Sequence, residues 1–185
     1  AALYDAEVSL QNSKGEVFAV DKRKIGIRTV ILDRSEDNTD KDGRFCFIVN
    51  GEKIFVRGTN WVPLSVLHSQ DASFVKSTVD MVKDINCNMI RCWGGNVYED
   101  HEFFDLCDQY GIMVWQDFAM ACSFYPQNDD FARKVEEEVR SVVLKLRSHP
   151  SLAIWSGNNE NDMNFVWHLA AFRQNPNRDR ISRHT

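Results

Sequence analysis

No apolar run in this sequence approaches the roughly 18–20 residues needed to span a bilayer as a helix. The first residues, Ala1-Ala2-Leu3-Tyr4-Asp5, show neither a basic start nor the apolar core of an export signal, and read as the middle of a larger protein. There is no Asn-x-Ser/Thr sequon, so glycosylation gives no clue to compartment; periplasmic, lysosomal and cytoplasmic homes are all compatible. No two of the five cysteines (Cys46, Cys87, Cys92, Cys107 and Cys122) have the two-residue spacing of a zinc or redox motif. They are expected to be free thiols, most of them buried as small hydrophobes. Charge is not concentrated in one sign: the net value is −5, which argues against a nucleic-acid partner. The late arginines Arg173, Arg178, Arg180 and Arg183 read as a solvated tail.

What is present is the composition of a globular protein, 43% hydrophobic and 26% charged. The first third reads as strands. Ala6–Leu10 alternates with period two, Asn12-Ser13-Lys14-Gly15 is turn chemistry, and Glu16–Val20 follows as its partner. Ile25–Leu32 is a β-branched run and is expected to be a third strand. Residues 33–43 are strongly polar and read as a domain boundary or a long hairpin loop. Asn38, Asp40, Asp42 and Gly43 imitate the start of a calcium loop, but Val49 stands where such a loop needs glutamate, so a solvated turn is preferred.

From residue 45 the rhythm changes. Asn50-Gly51 predicts a tight hairpin between Phe45–Val49 and Lys53–Gly58. Helices are predicted over 73–86, from an Asp100 cap to Tyr110 with Gly111 as the stop, and over 130–147. Short apolar strands are predicted at 88–92, 112–117 and 152–155. Strands covered by helices in strict alternation imply a parallel sheet. A doubly wound nucleotide binder would want a glycine-rich loop after its first strand, whereas Gly58 is followed by Thr59-Asn60-Trp61.

In an α/β barrel the working groups sit at the C-terminal ends of the strands. Read that way, the four strand ends offer Asn60 and Trp61, then Arg91 and Trp93-Gly94-Gly95-Asn96, then Gln116-Asp117, then Ser156-Gly157-Asn158-Asn159-Glu160. Amides and charges bond sugar hydroxyls, and indole faces pack on pyranose rings. The set suits a carbohydrate better than a phosphate. Bland roles compete: Trp61 as packing, Arg91 as a brace for an acid, Asp117 as a cap. Glu160, directly after a strand and two asparagines, is the hardest to explain structurally.

The segments Gly58-Thr59-Asn60-Trp61-Val62-Pro63, Asn88–Gly95, Trp115-Gln116-Asp117-Phe118 and Trp155–Asn161 resemble the β-mannosidase branch of glycoside hydrolase family two. Lys24–Val30 is similar to the passage from that family's immunoglobulin-like sandwich to its barrel. The resemblance covers nearly the whole chain and thins after about residue 165. It implies an α/β fold: trailing strands of a β-sandwich over 1–43, then the first four strands of a (β/α)₈ TIM barrel over 44–185. It also implies a retaining mechanism on terminal β-linked mannose, with Glu160 as acid/base and Asn159 on the sugar 2-hydroxyl. Trp93, Arg91, Asp117, Asn60 and Trp61 would bind or frame the substrate. No metal and no cofactor is expected.

The family's nucleophile ends a seventh strand, which is not reached here, so this chain alone is expected to be inactive. Its open sheet edges raise the expectation of a homodimer. The alternatives are a non-catalytic carbohydrate-binding or scaffold piece, a family-two β-glycosidase of other specificity, and a metal hydrolase. For the last, His68, His101, His149 and His168 read as scattered.

Overall fold

A computed structural model describes residues 2–35 and 45–163. The calcium-loop imitation and the basic tail therefore lie outside the described residues, as does His168. The chain opens with an antiparallel pair, β1 (Tyr4–Gln11) and β2 (Val17–Ile25), turning at Gly15 with φ +82°. The turn is held by the Asn12 carboxamide, which accepts from the backbone N–H groups of Lys14 and Glu16 at 2.9 Å each.

The predicted strand over Ile25–Leu32 is divided in two. β2 ends at Ile25, and β3 covers only Val30–Asp33. The reason is tertiary. Gly26 lies so close to Pro150 that a Cβ there would fall 2.5 Å from the proline ring. The Arg28 guanidinium then donates to the carbonyls of Pro150 (2.9 Å) and Leu152 (2.5 Å). These contacts take the backbone out of any ladder. β3 pairs antiparallel with β4 (Cys46–Val49), and β4 pairs with β5 (Glu52–Ile54). The two strands that flank the polar stretch in sequence are thus partners in one sheet. Asn50 and Gly51 both have positive φ (51° and 87°), the conformation a two-residue hairpin turn demands.

The rest is a four-stranded parallel sheet in the order β6 (Gly58–Trp61), β7 (Met89–Cys92), β8 (Met113–Asp117), β9 (Leu152–Ser156). Between them run α1 (Ala72–Asp84), α2 (His101–Tyr110) and α3 (Asp129–Leu146), with a short 3₁₀ turn at His68–Gln70. Adjacent strands in sequence are adjacent in the sheet, which is the order of a barrel wall. α2 ends at Gly111, φ +69°, as its position predicts. Asp100 precedes α2, but its side chain does not cap it; the carboxylate bonds Lys145 of α3 instead. α3 is capped by Asn128, which accepts from the Phe131 N–H at 2.8 Å.

The core lies between the sheet and its helices. Ile90, Val114 and Leu152 from the strands meet Val75 and Val79 of α1, Phe103 and Phe104 of α2, and Leu146 of α3. Among the described residues, no helix is long and apolar enough to cross a membrane.

Candidate active site

Strand alternation decides which side chains can reach a ligand. In β6–β9 one row, Trp61, Ile90, Cys92 and Val114, turns to the helices and is buried in the core. The alternate residues form the opposite face: Asn60 is in register with Arg91, Arg91 with Trp115, and Trp115 with Ile154. Asn60 and Arg91 thus stand side by side on the inner wall. Trp61 does not join them. It is 2% exposed, its ring lies 4.8 Å from that of Phe103, and its indole N–H donates to Glu99 at 2.9 Å. A sugar cannot reach it.

The inner wall is organised by one carboxylate. Asp117, at the end of β8, accepts from Arg91 Nε (3.3 Å) and Nη2 (2.7 Å), from the Gly94 N–H (3.1 Å) and from Trp115 Nε1 (2.9 Å). Four donors fill its acceptor sites, and it is 1% exposed. Asp117 was expected to contact substrate; in the structure it is spent on holding Arg91, Trp115 and the Gly94 loop. Arg91 in turn donates from Nη2 to Asn159 Oδ1 at 2.7 Å. The guanidinium therefore joins the end of β8 to the turn that follows β9.

That turn stays paired with its neighbour past the strand ends. Phe118 N–H bonds the Ser156 carbonyl (2.9 Å), Asn159 N–H the Met120 carbonyl (2.8 Å), and Cys122 N–H the Asn159 carbonyl (2.9 Å). This short ladder delivers Glu160, exposed and with φ +55°. Cys122 across from it also has positive φ, +47°. Left-handed backbone costs a non-glycine residue roughly 1–2 kcal/mol, so the surrounding bonds must impose it. The Cys122 sulfur lies 3.3 Å from Asn159 Nδ2 and 3.5 Å from Glu160 Oε2.

The two glycines after Trp93 have separate reasons. A Cβ on Gly94 would stand 2.7 Å from the Phe118 carbonyl oxygen and 2.9 Å from that of Met120. A Cβ on Gly95 would fall within 2.4 Å of three Trp93 ring atoms. Gly94 lets the β7 loop touch the β8 loop, and Gly95 lets the Trp93 indole lie on its own backbone. Trp93 is thereby fixed, half-buried, beside the Asp117 network.

Of the residues singled out in the sequence, Arg91, Asp117, Asn159 and Glu160 are brought into one site, with Trp93 and Asn60 at its borders. Cys122 was missed; no spacing in the sequence signals it, because only the register of two loops places it there. Cys92 and Cys107 are different: they are buried in the core, where desolvation holds their thiols protonated well above the usual range.

The histidines are less scattered than they read. His149 bonds Asp108 through Nδ1 (2.7 Å), meets His101 through Nε2 (2.8 Å), and has Asp105 at 3.7 Å. Asp108 also accepts the Ser151 N–H at 2.8 Å. The donor atoms of Asp105, Asp108 and His149 lie within 4.8 Å of one another. However, this cluster is beside the start of β9, at the opposite end of the strand from Glu160, and its short bonds tie α2 to that strand.

An inner wall of parallel strands with an Asn-Glu pair on its C-terminal rim is the layout that the resemblance to glycoside hydrolase family two implies. The family model for glycosyl hydrolases family 2, TIM barrel domain, matches residues 41–178, and the chain belongs to that family. The chain is 41% identical over 160 residues to a β-mannosidase of Capra hircus, covering 86% of this chain and 18% of that protein. It is 44% identical over 140 residues to a β-mannosidase of Bos taurus, covering 75% of this chain and 16% of that one. The solved β-D-mannosidase of Dictyoglomus thermophilum superposes with a TM-score of 0.74 at 39% identity, over 86% of this chain and 20% of that one. The chain thus spans about a fifth of the relatives it matches.

Proposed function

We propose that this chain supplies the acid/base half of a retaining β-mannosidase active site. Glu160 protonates the glycosidic oxygen as the first bond breaks and later deprotonates the incoming water. Asn159 meets the sugar 2-hydroxyl, which is axial in mannose. Its amide oxygen is engaged by Arg91 and one N–H by Cys122, which leaves the second N–H to donate. Trp93 and Asn60 border the sugar, and Asp117 keeps Arg91 and the loops in place. The observation that carries this reading is the adjacency of Glu160 to an Asn159 locked by Arg91 on the barrel rim.

A retaining mechanism needs a second carboxylate roughly 5–5.5 Å from the first as nucleophile. Asp117 cannot serve, since its oxygens are occupied and buried. Turnover is therefore assigned to the full-length protein, with the nucleophile on a later strand. The test is hydrolysis of a chromogenic β-mannoside by that protein beside Glu160→Ala. A loss of about 10²–10⁴-fold with partial recovery in azide supports the assignment; an unchanged rate sinks it. Activity confined to another β-glycoside would keep the mechanism and move the specificity. For this chain alone we propose association with a second copy through the β6 and β9 edges.

A further inference from the structure

We propose that Cys122 is a positioning residue for Glu160, the last link of a hydrogen-bond chain that runs from Arg91 through Asn159. The inference rests on the reading of Glu160 as acid/base. The chain has one direction. Arg91 Nη2 donates to Asn159 Oδ1 (2.7 Å), Asn159 Nδ2 donates to the Cys122 sulfur (3.3 Å), and the thiol S–H donates to Glu160 Oε2 (3.5 Å). A thiol can accept and donate at once, each weakly, and bonds in series polarise one another.

The backbone is arranged to permit this. Cys122 N–H bonds the Asn159 carbonyl at 2.9 Å, and Ala121 bridges Asn159, so the sulfur is held at a fixed height beside the carboxylate. Cys122 and Glu160 both sit in left-handed backbone, φ +47° and +55°. Glu160 itself is exposed and follows a turn, so its own backbone alone leaves its rotamer free. The thiol restricts that freedom without burying the carboxyl, which must remain open to the leaving group and then to water.

A positioning role for the general acid has a kinetic signature that a structural role lacks. Bond cleavage depends on proton donation only when the leaving group is poor. We would measure kcat/KM in the full-length protein with two substrates, phenyl β-mannoside and dinitrophenyl β-mannoside. Cys122→Ala should lose about tenfold on the phenyl substrate, a part of the roughly 10²–10⁴-fold that acid catalysis supplies. It should stay within about twofold on the dinitrophenyl substrate. Cys122→Ser, which keeps a donor and an acceptor, should recover most of the loss. Methylthiolation of the native thiol should reproduce the alanine pattern, reverse with a reducing agent, and leave Cys122→Ser untouched. Equal losses on both substrates, no loss, or no recovery by serine would overturn the proposal. Glu160→Ala is run alongside. If it shows the steep leaving-group dependence and Cys122→Ala does not, only this inference fails. If Glu160→Ala is also flat, the acid/base assignment itself is wrong.

Discussion

Glu99 sets a pH dependence at the scale of one residue. Its carboxylate accepts the Trp61 indole N–H at 2.9 Å in a pocket that leaves it 5% exposed. Burial raises its pKa above the ordinary 4.5, with the Asp71 charge adding to the rise; the Trp61 bond and His68 oppose it. The folded form thus holds the proton to higher pH than the unfolded form. That stabilisation is complete below the ordinary value and is lost as pH climbs through the raised one. Glutamine keeps an acceptor for Trp61 and carries no charge at any pH. Glu99→Gln is therefore expected to gain stability over the native protein as pH rises from about 4 towards neutrality, read as urea midpoints across pH. A constant difference at all pH values would show that Glu99 does not titrate as burial requires.

At the scale of elements, the loops after β7, β8 and β9 work as one unit, and Gly94 is where two of them touch. Gly94→Ala forces a methyl against two carbonyl oxygens and the Asp117 side chain. The expected cost is about 1–3 kcal/mol of stability, together with lower kcat/KM of the full-length protein, under the function proposed above, as Asp117 releases Arg91. Gly157→Ala, with nothing within 4 Å of the added carbon, should stay within about 0.5 kcal/mol. Urea unfolding of the two variants side by side checks both. The elements themselves were legible in the sequence wherever a period ran long enough. The valines of α1 and the apolar runs of β7–β9 gave helix and strand with ends shifted by a residue or two. The gathering of Arg91 and Asn159, with Glu160 beside them, was legible because a barrel brings the C-terminal ends of its strands together. The burial of Trp61 was not decided by the sequence because its facing depends on parity: one residue either way along a strand exchanges wall for core. The break after Ile25 and the position of Cys122 beside Glu160 were illegible for a common cause. Each is decided by a partner more than thirty residues away, Pro150 in one case and Glu160 in the other.

At the scale of the whole molecule, β6 and β9 are edge strands of the parallel sheet, with no further strand beside them among the described residues. The inner wall also borders Phe45 and Phe55, which are 64% and 84% exposed. Open edges beside exposed aromatic surface favour pairing. The isolated chain is expected to run as a dimer or larger species in light scattering; a clean monomer across concentrations would end that proposal.

The Arg28 grip on Pro150 and Leu152 also has a consequence in time. Its two ends lie up to 124 positions apart. At a synthesis rate of roughly 5–20 residues per second, Arg28 leaves the ribosome on the order of ten seconds before its acceptors exist. The β1–β2 hairpin must then mature as a local unit with its trailing linker undocked, and the strand that leads to the Glu160 turn is clasped only afterwards. Silent codon changes that slow translation between those points would lengthen that wait and leave the finished sequence unchanged.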